Sequence, residues 1–317
     1  MRLYLAKRLL MTLMALFIVM VFLGVLVRIV PGNAAKTLLG PRATDELVEK
    51  YSAAMDLDKS VPVQVARFVW MVLHGSLGED VFTGRSINTL VGAVLRHTII
   101  LAFSSLALAA ITGIPMGVFS ATHPGSWVDR VTALVSISVI TIPSAVVGLL
   151  LMLLFVVRLR LLPAIGLGEA GNVGDYVRHL ILPSVALALG WVGYLARLVR
   201  TSFLEVLNEP YIRAARAAGI AERTILYKYG LKNALIPTVA VLGMGVGGLM
   251  GGAVIIEMIF GRPGMGSLIV KAIQDRNYPI VRGGVLVVAV LFVLANLLAD
   301  ITYTYLDPRI QLGKRQG

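Results

Sequence analysis

The sequence predicts an all-α polytopic membrane protein with six transmembrane helices. Of its 317 residues, 57% are hydrophobic and only 15% are charged, and the mean hydropathy is +0.85. An ordinary soluble domain carries about 25% charged residues, so a water-exposed surface on a chain of this size would need many more charges. The composition therefore excludes a soluble enzyme, a disordered chain and a fibrous repeat.

The six predicted spans are continuously apolar stretches. A helix needs about 20 apolar residues to cross about 30 Å of hydrocarbon. The strands of a membrane barrel would instead alternate between polar and apolar residues, so helices are favoured. The predicted spans are Leu9–Val30, Thr98–Ala121, Val131–Val157, His179–Leu198, Ala234–Ile256 and Pro279–Tyr303.

The first span, together with a short basic tail, occupies residues 1–30. Its apolar run of about 22 residues is longer than the 7–15 residues of a signal-peptide core. We therefore expect an uncleaved span with the amino terminus inside the cell. With this orientation, short inner segments carry 14 Lys and Arg and short outer loops carry 7, which agrees with the positive-inside rule. The same rule accounts for the net charge of +12 without a nucleic-acid partner.

Residues 31–96 form the predicted extracytoplasmic loop. Thr44 is suited to cap a short helix, because Asp45 and Glu46 follow it and acidic side chains favour a helix amino terminus. We expect small helices here that lie over the membrane face.

The loop between the fourth and fifth spans, residues 199–233, is long, basic and rich in helix formers. Glu209-Pro210 is suited to open a helix, and the run YIRAARAA favours its continuation. Gly219 stands where a left-handed residue would end that helix, and AERTILYKYGLKN would form a second one. The sequence predicts a helix, a glycine turn and a helix facing the cytoplasm. The alternative is a basic loop that holds the membrane surface.

Several catalytic and cofactor motifs are absent from the sequence. There is no G-x-x-x-x-G-K-[ST], so the chain is not expected to bind ATP through a P-loop. There is no H-E-x-x-H motif and no cysteine, and the four histidines are scattered singly. We expect no metal or cofactor on this chain.

A glycine-rich stretch, GMGVGGLMGG, lies within the fifth span. It contains G-x-G-x-x-G, but the dinucleotide-binding fingerprint must follow a strand. Gly243, Gly247 and Gly251 are spaced for close approach of helices. They indicate tight packing or a wall of a transport path.

Ionisable residues within the spans are few. Glu257 and Asp300 lie near span ends, whereas an ion-coupled transporter usually has acids or histidines near the midplane. An intramembrane enzyme would need two reactive groups at facing positions, and no span offers them. A scaffold without transport activity remains a third alternative, which an uptake assay would exclude.

Longer segments resemble known permeases. YIRAARAAGIAERTILYKYGLKNALIPTVAVLG resembles the coupling segment of ABC importer permeases. EMIFGRPGMGSLIVKAIQDRNYPIVRG and LADITYTYLDPRIQ are similar to the dipeptide, oligopeptide and nickel permease family. The segments MRLYLAKRLLMTLMALFIVMVFL, PGNAAKTLLGPRAT and HGSLGEDVFTGRSI agree more loosely. The resemblance covers nearly the whole chain and is strongest from Tyr211 to Gln311.

This resemblance implies a type I ABC importer permease fold, with residues 97–306 as the permease core and 307–317 as a cytoplasmic tail. It implies a non-catalytic, multi-pass subunit of the bacterial inner membrane with both termini in the cytoplasm. Its implied partners are a second related permease in a heterodimer, two cytoplasmic ATP-binding subunits that use ATP and Mg, and an extracytoplasmic solute-binding protein. The implied cargo is a peptide or a related small solute. The alternative is a stand-alone ion-coupled secondary transporter.

The resemblance also assigns expected roles to residues. The segment before Gly219 would dock into a groove of the ATPase, and its alanines would let a thin helix enter closely. The general family motif has a Glu before the two alanines, where this chain has Arg213. The expected coupling residues are Tyr211, Arg213, Ala214, Ala215, Arg216, Ala218 and Gly219. The candidate path or gate residues are Gly243, Gly247, Gly251, Glu257, Pro263 and Gly264.

Overall fold

The computed structural model describes residues 2–29, 36 and 43–306, and most of these are helical. The carboxyl-terminal tail and most of PGNAAKTLLGPRAT lie outside the described residues. The helices are α1 (Arg2–Ile29), α2 (Asp45–Ala54), α3 (Val61–Leu73), α4 (Ile87–Thr122), α5 (Trp127–Thr141), α6 (Ser144–Leu151), α7 (Val173–Leu207), α8 (Pro210–Ala217), α9 (Glu222–Thr224), α10 (Leu231–Ala234), α11 (Ile236–Gly252), α12 (Val254–Ile259), α13 (Met265–Gln274) and α14 (Tyr278–Leu306). Two π-helical stretches, Met152–Arg158 and Ile225–Gly230, continue α6 and α9.

Three described helices are long and apolar enough to cross a membrane: α4, α7 and α14. They coincide with the second, fourth and sixth predicted spans. Two bent helix pairs cover the third and fifth, which brings the number to as many as five by length and composition. The first predicted span falls on α1, whose apolar described part, Leu10–Val25, is shorter. The count of six spans therefore stays a prediction.

The third span is not the single continuous helix that the sequence analysis expects. It breaks between α5 and α6, which bend by 100° relative to each other. Ile142 is extended, with φ −82° and ψ 122°, and Pro143 follows it. Proline lacks an N–H and disfavours helical geometry in the residue before it, which explains the break.

The described chain contains two compact units. The first comprises the described residues within 1–98 and 263–293. In it α3 packs closely on α1, because a Cβ built on Gly24 would lie 2.8 Å from a methyl group of Val65. Thr44 caps α2 by accepting a hydrogen bond from Leu47 N–H at 3.4 Å, which confirms the predicted cap. A buried apolar cluster around Ile87 and Met265 forms part of its core.

A buried carboxylate joins two distant segments of the first unit. Asp80 accepts hydrogen bonds from the Thr83 hydroxyl, the Asn277 amide and, at 3.1 Å, the Phe82 N–H. The bonds from Thr83 and Phe82 close the turn after α3, whereas the bond from Asn277 ties that turn to the start of α14. Both Asp80 and Asn277 are buried.

The second unit comprises the described residues of 99–262 and 294–306, and α7 lies at its centre. Gly113 and Gly117 let α4 approach α7 closely. A Cβ built on Gly113 would lie 2.8 Å from the carbonyl oxygen of Val192. Small residues at such a contact permit backbones to pack tightly in a membrane.

An ion pair holds α5 against α7 in the same unit. Asp129 is 5% exposed and binds Arg200 through two bonds, Nε–Oδ1 at 2.6 Å and Nη2–Oδ2 at 2.9 Å. The Ser120 hydroxyl and the Gly125 N–H also donate to this carboxylate. The charge is thus both paired and hydrogen-bonded, as a buried charge requires.

Acid is expected to weaken the first unit through Asp80. Burial raises the pKa of Asp80, but hydrogen bonds from Thr83, Phe82 and Asn277 outweigh it and hold the pKa below 3.8. This stabilisation is complete above the unfolded-state pKa and disappears as the pH falls through the lower folded-state pKa.

We therefore expect the melting temperature of the detergent-solubilised protein to fall as the pH drops below about 4. In Asp80→Asn, which lacks the titrating group, the melting temperature should be lower at neutral pH and less dependent on acid. An equal acid dependence in both proteins would contradict this account.

Candidate coupling segment and translocation cavity

The loop between the fourth and fifth spans forms the predicted helix, glycine turn and helix. Pro210 opens α8, with Glu209 as its N-cap. Gly219 has φ +73°, a left-handed conformation that glycine adopts without strain. Its N–H bonds to Arg216 O at 3.0 Å, and Ile220 N–H bonds to Ala215 O at 3.2 Å. These bonds satisfy carbonyl groups at the end of α8 and confirm the predicted cap.

One side of α8 is open and the other is anchored. Ile212 is fully buried, whereas Arg213, Ala214 and Arg216 are exposed. Ala215 is half-buried, and Ala218 and Gly219 are exposed. The predicted coupling residues therefore belong to one short helix and its turn.

Tyr211 ties α8 to the second half of the segment. Its hydroxyl accepts a hydrogen bond from Asn233 Nδ2 at 2.8 Å and donates one to Tyr229 O at 3.4 Å. Its side chain is nevertheless partly open, with 38% of the residue exposed. The ring therefore contributes to the exposed surface while its hydroxyl fixes the position of α8.

An ion pair crosses the glycine turn. Arg216 binds Glu222 through Nε–Oε2 at 3.1 Å and Nη2–Oε1 at 2.7 Å. Both side chains are exposed, at 44% and 54%, so the pair contributes little to stability. Its bidentate geometry instead fixes the orientation of the turn. This pair is not predicted from the sequence.

The second half of the segment packs on the end of α7. Ile225 is fully buried, and a Cβ built on Gly230 would lie 3.2 Å from the Phe203 ring. Phe203 belongs to α7 and is itself fully buried. The segment is thus attached to α7 by packing as well as by the chain.

A cavity of about 610 Å³ opens beside the break between α5 and α6. Ile142 and Pro143 of the break form one wall, and α7 supplies Trp191 and Tyr194. The third wall comes from α11, with Gly248 among its residues. Every residue that lines this cavity belongs to the second unit.

The three glycines predicted to line a path differ in their packing and exposure. Gly243 packs on Ala299, because a Cβ built on it would lie 2.6 Å from the alanine Cβ, which confirms the predicted close approach at this position. Gly247 is buried, and Gly251 is exposed with open space around it. None of the three lines the cavity, although α11 contributes Val241, Met244 and Gly248 to it.

The turn after α12 holds a buried cation. Arg262 is 1% exposed. Its Nη2 donates to the Tyr176 hydroxyl at 3.1 Å and its Nη1 to His179 O at 3.4 Å. Burial lowers the pKa of Arg262, and Tyr176 and Glu257 oppose that shift. Arg262 belongs to the RPGMG turn that the sequence marks as a candidate outer gate or contact with the delivering protein, but the burial of its side chain is not predicted from the sequence.

The other candidate gate residues are close neighbours of Arg262 in the chain. Glu257 is 1% exposed, and its carbonyl accepts a hydrogen bond from Arg262 N–H at 2.8 Å. Gly264 is the N-cap of α13, and its N–H donates to the Ser267 hydroxyl at 2.9 Å. Pro263 lies exposed between them. Their geometry accounts for a structured turn, and a gating role stays a prediction.

Family models match most of the chain. Residues 113–312 match the model described as binding-protein-dependent transport system inner membrane component. Residues 1–93 match the amino-terminal model of the corresponding membrane component. The chain belongs to this family. It is therefore a non-catalytic permease subunit of an ABC importer, in which ATP hydrolysis is performed by separate subunits.

Relatives match this permease over nearly their full length. A probable peptide ABC transporter permease of Sinorhizobium fredii is 36% identical, covering 97% of this chain and 99% of its own. The glutathione transport system permease GsiC of Pectobacterium atrosepticum is also 36% identical, with 97% and 98% covered. The probable D,D-dipeptide transport system permease DdpB of Escherichia coli is 37% identical, with 90% of each chain covered.

Solved structures show the same fold at lower identity. An inward-facing MetNI methionine ABC transporter matches with a TM-score of 0.57 and 21% identity, covering 69% of this permease and 96% of that chain. An amino acid ABC transporter crystallised with histidines matches with a TM-score of 0.53 and 14% identity, covering 70% and 94%. The permease thus has the type I importer fold and is a multi-pass protein of the inner membrane.

Replacing Gly219 with Val tests the turn of the coupling segment. The space around Gly219 is open, so the cost is conformational: about 1–2 kcal/mol for a left-handed non-glycine residue. We expect uptake by the assembled transporter to fall several-fold while the protein still inserts. Gly92→Val is the matched control, because Gly92 also faces open space but has an ordinary helical conformation. Normal uptake in Gly219→Val would remove the turn from the coupling mechanism.

Replacing Tyr176 with Phe tests the anchor of the outer turn. Arg262 would lose its hydrogen bond to the hydroxyl, and losing a partner of a buried group costs about 1–3 kcal/mol. We expect a lower melting temperature in detergent than for Tyr227→Phe, whose tyrosine is 56% exposed. Equal melting temperatures for the two variants would show that the Tyr176 hydroxyl does not stabilise the turn.

Proposed function

We propose that this permease subunit forms the membrane path for peptides, or for small solutes related to them. Three relatives that match it nearly end to end are named for peptide, glutathione and D,D-dipeptide transport. These cargoes share amide bonds between amino acids and differ in their side chains. The cargo proposed for this chain is therefore the class that these names have in common.

The observation that carries the coupling part of the proposal is the geometry of α8. It is a short helix with exposed Arg213, Ala214 and Arg216, closed by the Gly219 turn. Small side chains let such a helix enter a groove closely. Because Ile225 and Gly230 pack the segment toward α7, a push on α8 would be passed to α7 as a rigid-body movement.

We also propose which partners this permease assembles with and which side of the membrane its termini face. A second related permease completes the membrane path, two cytoplasmic subunits hydrolyse ATP with Mg, and an extracytoplasmic binding protein delivers the cargo. The termini and the segment of residues 199–233 face the cytoplasm. The excess of Lys and Arg in the short inner segments supports this orientation.

Affinity purification of this chain from its native membranes tests the proposal. We expect a second permease and P-loop ATPases to accompany it, and ATP hydrolysis to rise when the binding protein is loaded with a dipeptide. Ala214→Glu should reduce the recovered ATPase, because it puts a long charged side chain on the exposed side of α8, where a small one is proposed to enter the groove. Ala53→Glu makes the same change on exposed α2 and should not.

A chain that purifies without any ATPase under mild conditions would contradict the coupling proposal. A complete complex that takes up no peptide would contradict the cargo class alone. The two results are therefore distinguishable.

A further inference from the structure

We propose that the cavity beside the α5–α6 break binds an apolar or aromatic side chain of the cargo during transport. This inference rests on the proposed peptide cargo, and it assigns a side-chain selectivity to the permease itself. The cavity of about 610 Å³ lies within the usual range for small-molecule sites, about 300–1,000 Å³. It is therefore large enough for the side chain of a leucine or a phenylalanine.

The chemistry of the lining determines which side chains fit. No charged side chain is among the described residues that line the cavity. Trp191 and Tyr194 meet edge to face, with ring centroids 6.0 Å apart, and Ile142 and Met244 complete an apolar surface. An unpaired charge would lose its hydration here without a counter-charge. The cavity therefore favours apolar and aromatic side chains.

The break in the third span indicates that water or protein, and not lipid, fills this side of the molecule. Where a helix ends, its last carbonyls lack partners within the helix, and the first N–H groups of the next helix lack them too. Pro143 caps α6 without a side-chain hydrogen bond, and it carries no N–H itself. Non-helical backbone at membrane depth is tolerated only inside protein or beside a water-filled cavity.

Gly248 determines how much room the cavity has on its α11 side. It is exposed, and a Cβ built on it would meet no heavy atom within 4 Å. A larger side chain at this position would therefore project into the cavity without disturbing the packing of α11. Gly251 lies one turn further along the same helix, is equally open and does not line the cavity. The two glycines form a matched pair for a test.

The first experiment compares Gly248→Leu with Gly251→Leu in the complete transporter, reconstituted in vesicles with its ATPases and peptide-saturated binding protein. The probes are diphenylalanine and diglycine. We expect Gly248→Leu to reduce diphenylalanine uptake at least fivefold while diglycine uptake stays within twofold of the wild type. Gly251→Leu should leave the ratio between the two peptides unchanged.

Two outcomes would overturn the inference. An equal loss of both peptides in Gly248→Leu would indicate that the cavity is a subunit contact or a gate, and an unchanged ratio would indicate that cargo side chains do not enter it. A wild-type transporter that takes up neither peptide would contradict the proposed cargo class instead.

A second measurement does not depend on how the leucine variants fold. The chain contains no cysteine, so Met244→Cys introduces the single thiol of this subunit on the cavity wall. We expect a water-soluble thiol reagent to label it, and diphenylalanine to slow the labelling more than diglycine does. Val173→Cys, at a residue 75% exposed at the start of α7 and outside the predicted fourth span, is the control: the reagent should label it, and peptide should not change the rate. Labelling of Met244→Cys that neither peptide slows would overturn the inference.

Discussion

The structure depends on one constraint: polar backbone groups within hydrocarbon need partners in the protein or in enclosed water. The helices α4, α7 and α14 meet it as continuous helices, although Pro115 in α4 and Pro183 in α7 each remove one backbone N–H. The third span does not, because Pro143 interrupts it and the two halves bend by 100°. The cavity lies beside this break, where the backbone groups at the ends of the two helices need partners from elsewhere in the protein or from enclosed water. This cavity is the one proposed to receive a cargo side chain.

The second unit is organised around α7. Gly113 and Gly117 bring α4 against it, and the Asp129–Arg200 pair attaches the start of α5. The same helix supplies Trp191 and Tyr194 to the cavity and continues to Leu207, inside the predicted cytoplasmic segment of residues 199–233 and just before α8. A single rigid element therefore connects the surface proposed for the ATPase with the wall proposed for the cargo. Such an element can pass a movement between two sites without a change in its own structure.

The coupling segment combines exposure with a defined shape. Its exposed side chains belong to a helix of only 8 residues, which would be marginal by itself in water. Buried Ile212, the Tyr211 hydroxyl and the Arg216–Glu222 pair hold it in place. A partner would thus meet a surface that is already ordered, and preorganisation of this kind reduces the entropic cost of binding.

Local interactions explain what the sequence determined by itself. The apolar stretches, the Thr44 cap and the Gly219 turn each depend on residues within a few positions of one another. Pro143 and the Gly113–Gly117 spacing are local signals as well, for the break in the third span and for the close approach of α4 to α7. Only the tertiary structure decided the Asp129–Arg200 pair, whose members are 71 residues apart, the burial of Arg262 and the walls of the cavity. These features depend on which faces of the helices pack together. A span that is apolar on all sides has no polar pattern to indicate which of its faces contacts a neighbouring helix.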